Sequence, residues 1–166
     1  MEHKANLQRF ERVLRVIKAD GNVVFYDDMP YLDFFEGFLA VARDNKWTFI
    51  NELGEEICAL QYNDVDYFSE GRAGVKVIGW GFIDTSGNEI CPLHYQATGC
   101  FVNGFARVKR ADKWTFMDRT GKEICEPMFD DASDFYDGRA VVWKNLNWGW
   151  LNEAGEVLWN NEEENR

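Results

Sequence analysis

Four tryptophans stand at one fixed distance from four glycines. Trp47, Trp80, Trp114 and Trp148 follow one another at 33, 34 and 34 residues, and each is followed seven residues later by Gly54, Gly87, Gly121 or Gly155. Ahead of each Trp lies a second glycine, Gly37, Gly71, Gly104 or Gly138, with Phe34, Phe68, Phe101 or Phe135 three residues before it. A unit that recurs in register is the signature of a repeat architecture, in which each copy buries its apolar face against the next. A catalytic constellation would be expected once. The stretch KWTFMDRTGKEICEP, from Lys113 to Pro127, therefore reads as scaffold, although it gathers a thiol, acids, bases and hydroxyls around a glycine.

Within a unit the apolar pattern has period two. After the first glycine come Leu39 and Val41, Ala73 and Val75, Ala106 and Val108, or Ala140 and Val142, with Arg72, Lys76, Arg107, Lys109 and Arg139 among the intervening residues. That alternation predicts a strand with one buried face. A second strand starts at each Trp and ends at Asn51, Asp84, Asp118 or Asn152, three residues before the glycine of a tight turn. A third carries Ile57, Ile90, Ile124 or Leu158, and Pro92 and Pro127 mark its end or an unpaired edge. Inter-unit segments such as Met128–Gly138 hold Phe129, Ala132 and Phe135, too apolar for solvated loops, and are expected to fold back and close the core.

The expected fold is mainly β, with tandem three-stranded meanders of about 33 residues in a curled stack or incomplete ring. A small propeller-like closed ring is the alternative. Apolar residues at Leu7, Phe10, Val13, Leu14 and Ile17 recur with helical period, which predicts an amphipathic helix over 1–20 as an N-terminal cap, stopped by Asp20 and Gly21. The β domain then runs over 21–160, with a partial unit at 21–32 lacking its Trp and full units at about 33–65, 66–98, 99–132 and 133–160. Residues 161–166 read as a disordered acidic tail.

With 46% apolar and 16% aromatic residues, a 166-residue chain can build one core. A net charge of −11 repels phosphate backbones and anionic lipid, so neither nucleic acid nor a membrane is the expected partner. No stretch is apolar over 18 residues and the start lacks a signal-peptide core, so a cytoplasmic location is expected.

The pattern Phe-x-x-Gly-x-Ala-x-Val, followed by Lys-Trp-Gly-Phe-Ile-Asp-x-x-Gly-x-Glu-Ile, resembles the WG-repeat (KWG-repeat) family of bacterial proteins. Gly79 to Asp84 with Glu89 and Ile90 is the best copy, and Trp148-Gly149 is a second. Thr48 and Thr115 replace the glycine of the Trp-Gly pair, so close packing rather than positive φ is the expected reason for glycine there. The resemblance spans roughly Gly21 to Trp159 and implies repeated β structure with a binding role. It brings no catalytic residues.

Single residues offer few sites. Cys58, Cys91 and Cys125 stand four residues after a turn glycine, where Phe25 and Trp159 occupy the same register, so they read as packing thiols. Close cysteine pairs of the zinc type are lacking, and neither metal nor cofactor is expected. Cys100 lies outside that register and reads as the more exposed thiol. His3 and His94 are the only histidines, which leaves little for acid–base or triad chemistry, and no catalytic residue is assigned. The Trp of the four copies read as core. Trp143, where other units have Ala42, Lys76 and Lys109, breaks a face expected to be solvated, and Tyr136 could extend the patch. The acidic pairs Asp27-Asp28 and Asp130-Asp131 complete the candidate partner-binding set.

These readings point to a non-enzymatic interaction module whose acidic repeat surface binds a basic protein. One sharper form is an immunity or antidote protein that masks the basic active site of a toxin. The alternatives are a sugar- or peptide-binding or hydrolytic protein with an aromatic and acidic pocket, and a structural scaffold.

Overall fold

The computed structural model describes residues 6–10, 13–28 and 33–160, so the acidic segment 161–166 lies outside the described residues. Fifteen strands and no helix make up the described chain. They fall into five small antiparallel sheets along the sequence. The first holds β1 (Asn6–Phe10), β2 (Val13–Ile17) and β3 (Val23–Tyr26), and the second is the hairpin of β4 (Phe38–Arg43) and β5 (Lys46–Asn51). The third holds β6 (Asp64–Ser69), β7 (Arg72–Lys76) and β8 (Trp80–Asp84); the fourth holds β9 (Ala97–Thr98), β10 (Phe105–Arg110) and β11 (Lys113–Asp118). The last is four-stranded, in the order β12 (Asp131–Ala132), β13 (Arg139–Lys144), β14 (Asn147–Asn152) and β15 (Val157–Trp159).

The helical cap expected over 1–20 is replaced by two strands. Leu7 pairs with Val16 and Leu14 with Tyr26 in a continuous meander. Leu14 and Val16, two apart, lie buried against Leu39, Val41 and Ile50 of the next hairpin. The helical period of Leu7, Phe10 and Val13 was an accident of a short apolar run. Val13, Val16 and Ile17 are β-branched, and in the strand form Leu14 and Val16 gain the apolar face of the next hairpin. Gly21 accordingly sits inside the β2–β3 turn, with φ of 86°, rather than opening a unit.

The hairpins β4–β5, β7–β8 and β10–β11 are each buried on both faces, and that is the rule of the inner array. In β4–β5, Leu39, Val41 and Ile50 face backward onto the first sheet, while Phe38, Ala40, Trp47 and Phe49 face forward onto Ala73, Val75 and Ile83. Trp80 and Phe82 face forward onto Ala106, Val108 and Met117; Phe105, Trp114 and Phe116 face forward onto Ala140, Val142 and Leu151. Small and branched side chains thus make one face and aromatics the other, so large packs into small at every junction. The Phe of the Phe-x-x-Gly element wedges in edge-on: Phe68 on Phe49, Phe101 on Phe82 and Phe135 on Phe116, with centroids 4.9, 4.9 and 5.0 Å apart. Such T-shaped contacts add to burial energy.

The meander differs from the expected one in its strand membership. The third strand is reduced to single bridges, Ile50 with Glu56, Ile83 with Glu89 and Met117 with Glu123, and only the last unit extends it as β15. Elsewhere the chain leaves the sheet after Ile57, Ile90 or Ile124 to cross to the next unit. The outer strand is supplied instead by the inter-unit segment, as β6, β9 or β12, beside the hairpin that follows it.

Two kinds of turn hold this geometry. Asn51, Asp84, Asp118 and Asn152 each accept backbone N–H groups two and four residues on, and the turn glycine donates back to the carbonyl of the same residue. The hairpin tips Asp44-Asn45, Ala111-Asp112 and Asn145-Leu146 carry two successive positive φ values, the backbone that matches the twist of a two-residue hairpin.

Candidate interaction surface

The three junctions after the first bury a forward aromatic face, and the last described sheet presents one too. Register places Val141 opposite Trp150, Trp143 opposite Trp148 and Leu158 opposite Trp150, so all five side chains share the forward face of the final sheet. Trp143 and Trp148 are each 39% exposed and Leu158 44%, and Trp150 is half-buried where the equivalent Phe49, Phe82 and Phe116 of inner units are almost wholly buried. Tyr136 rises at its margin, 80% exposed. A cavity of about 340 Å³ is lined by Ser133, Asp134, Tyr136, Asp137, Arg139, Val141 and Trp150, in the place where an inner junction seats the next Phe. Arg139 lies over the Trp150 ring at 4.9 Å, and Trp148 meets Trp150 edge-on at 6.0 Å.

This corrects the reading of two tryptophans. Trp143 lies on the face that inner units bury, where Ala42 is buried and Lys76 and Lys109 lie over Trp80 and Trp114 at 5.6 and 5.8 Å. Trp148 is no core residue, and Trp47, Trp80 and Trp114 are half-buried. A repeat position has one chemistry in the sequence but takes its burial from whatever follows it.

A ladder of turn residues runs alongside. The Glu36 carboxylate accepts the N–H groups of Glu70 and Gly71 at 2.8 and 2.7 Å, and Glu70 accepts that of Gly104 at 2.8 Å. Asn103 continues it by donating to the Phe135 carbonyl at 2.7 Å. Burial works against the charge of Glu70, but bonds from Arg119 and Gly104 hold its carboxyl below the usual range. Asp137 occupies the next place and accepts no hydrogen bond among the described residues. Neither Asp137 nor Trp150 stood out in the sequence. Counting each register forward by one unit would have found both.

The acidic pairs divide by role. Asp130 accepts the Asn145 N–H at 2.8 Å and pairs with Lys113, whose hydrogen bond lowers its carboxyl pKa first and most. Asp27 accepts the Asp44 N–H at 3.0 Å in the same manner. Both are clamps on the next hairpin tip. Asp28 bridges to Ala42, and exposed Asp131 stands opposite Trp143 in β12–β13. Of the expected set, Trp143, Tyr136 and Asp131 belong to the last unit's exposed region, while Asp27 and Asp28 lie in the first inter-unit segment.

The thiols follow packing. Burial raises all four, Cys91 and Cys100 to about 11. Cys100 is half-buried and donates to Asp66 at 3.3 Å, so it is no more open than Cys58 or Cys125. Thr48 and Thr115, at the Trp-Gly glycine position, are fully buried and donate to the Cys58 and Cys125 carbonyls, both at 2.7 Å. At Gly81 that space belongs to Leu93, whose Cδ2 would lie 2.5 Å from an added Cβ. His94 is exposed and rests on Tyr95 at 4.4 Å. Among the described residues no three His, Cys, Asp or Glu converge as metal ligands, and no helix is long and apolar enough to cross a membrane.

Comparison with known proteins agrees with this unit. A family model described as a WG containing repeat matches residues 47–77, 80–114 and 114–145. No curated protein sequence matches. Among solved structures, the chain is similar to KlHsv2 with loop 6CD replaced by a Gly-Ser linker, at 10% identity and a TM-score of 0.46, over 75% of this chain and 48% of that one. It is also similar to the computationally designed Ika4 protein, at 14% identity and a TM-score of 0.44, over 76% and 86% of the two chains. The chain thus spans about half the length of the first of these.

Proposed function

Since the chain belongs to the family of WG-containing repeats, we propose that it is a non-enzymatic interaction module that docks a protein partner on the forward face of its last unit. The observation that carries this reading is the exposure of Trp143, Trp148 and Leu158 on a face that three earlier junctions bury. An aromatic patch of this kind is a natural binding hot spot. Residues 130–160 surround it with six Asp or Glu against two Lys or Arg, which favours a basic partner and a salt-sensitive complex. The work takes place in the cytoplasm on this proposal. An antidote role adds only that the basic partner is a toxin, and rests on charge.

Affinity capture from the native host tests it. A basic partner retained by the wild type at low salt should be lost when Trp143 and Trp150 are both changed to Ala, with the fold intact by circular dichroism. Capture that survives the double change would move the binding surface elsewhere.

The cavity beside Trp150 supports a second reading, a small sugar or peptide ligand held by Tyr136, Trp150 and the Asp134, Asp137 and Arg139 side chains. Titration with simple sugars and basic peptides, followed by tryptophan fluorescence, separates the two.

A further inference from the structure

The two ends of the array are the two halves of one junction. At the last unit, the forward half lies open: Val141, Trp143, Trp148, Trp150 and Leu158 on the sheet, and Asp137 at the end of the turn ladder. At the first sheet, Leu14, Val16, Val24 and Tyr26 serve the forward junction, which leaves the opposite face. Register puts Arg15 opposite Phe25 and Ile17 opposite Val23 on that backward face. Phe25 is 53% exposed and Val23 40%. Ile17 holds the register of Ile50, Ile83, Met117 and Leu151, which pack backward in the later units, and Val23 and Phe25 hold that of Val157 and Trp159, which pack backward in the last.

We propose that the occupant of the last unit's forward face is the first sheet of a second copy of this chain, so that copies stack head to tail in the register of the internal array. The inference rests on the docking face assigned above and names its partner. Continuity is the first argument: the same forward-to-backward junction recurs along the chain, and the ends carry its unpaired halves. Charge is the second. Arg15 lies on the backward face of the first sheet and Lys18 follows β2, within a chain of net charge −11, while residues 130–160 hold six acids against two bases. The basic end thus fits the acidic one and repels its own kind. Such a contact is heterologous, since different surfaces meet, and therefore propagates into a ring or a filament rather than stopping at a dimer.

The test uses the full chain and two single variants, Phe25→Asp and Trp150→Asp, each at an exposed or half-exposed position, checked for fold by circular dichroism and melting. In sedimentation velocity at low salt, the wild type should gain mass with concentration in steps of one chain, and 0.5 M salt should reverse it. Each variant alone should stay monomeric. A mixture of the two should form dimers and nothing larger, because each supplies one intact end. A wild type that stays monomeric at every concentration, or association that Trp150→Asp abolishes and Phe25→Asp does not, overturns the head-to-tail contact. So does association that appears only on deletion of residues 161–166, which would assign the face to the chain's own tail. If the protein is monomeric yet still captures a host partner through Trp143 and Trp150, only this inference fails. If neither activity depends on those residues, the docking face itself is wrong.

Discussion

Gly121 rests on the backbone carbonyl of Ile90, one unit earlier in the chain, with no room for a Cβ between them. Gly87 meets Ile57 and Gly155 meets Ile124 in the same way. Each of these glycines also has a φ near 80°. The seven-residue step from Trp to Gly is therefore fixed twice, by the turn within a unit and by the contact between units.

Replacing Gly121 by Ala should meet both costs. Left-handed backbone strain and the clash with Ile90 together predict a loss of about 2–5 kcal/mol. Gly104, with φ of 93° and open space where a Cβ would stand, should lose only the strain, about 1–2 kcal/mol. Urea unfolding of the two variants side by side checks the difference, and equal losses would refute the contact.

Phe135 and Tyr136 are neighbours with opposite fates. Phe135 is buried between Phe105 and Phe116, so Phe135→Ala should cost about 3–5 kcal/mol. Tyr136→Ala, on the exposed rim, should change stability by no more than about 0.5 kcal/mol. Thermal or urea unfolding reads both.

Thr115 tests the packing at the Trp-Gly position. Changing it to Val keeps the shape but strands the Cys125 carbonyl in the core, for a loss of about 1–3 kcal/mol. Thr115→Ser, which can still donate, should recover part of that loss. If Val were as stable as Thr, the hydrogen bond would have no net value.

Acid should weaken the fold through its turns. Burial opposes ionisation at Glu70, Asp84 and Asp118, but hydrogen bonds outweigh it and hold all three below their ordinary 4.5 and 3.8. The unfolded chain takes up protons first as pH falls, so this contribution is intact above about pH 5 and is lost progressively below it. Urea midpoints between pH 6 and 3 should fall, and Asp118→Asn, which still offers a carbonyl to the turn, should flatten part of the slope.

The thiols should be slow. With Cys91 and Cys100 raised to about 11, little thiolate exists near neutral pH, so a thiol-specific disulfide reagent should label the native protein far more slowly than the urea-unfolded chain. Above the ordinary thiol value of 9.0 the unfolded chain ionises first, so stability should decline between pH 9 and 11. Rapid labelling of Cys100 in the native state would contradict its bond to Asp66.

The sequence by itself determined the unit. Turn chemistry at Asp118 and Gly121, alternation at Ala106 and Val108 and the aromatic start at Trp114 are local patterns, set by backbone sterics and by one buried face, and they survive intact in the fold. Tertiary structure decided what depends on a neighbour. Leu14 and Val16 became a strand because Leu39, Val41 and Ile50 offered an apolar face to cover. The chain leaves its sheet after Ile57, Ile90 and Ile124, whose carbonyls pack where a glycine of the next unit leaves room for no Cβ. Trp148 is exposed while Trp114 is half-buried, with the same residue in the same register, because burial belongs to the pair of surfaces in contact and no residue carries its partner in its own sequence position.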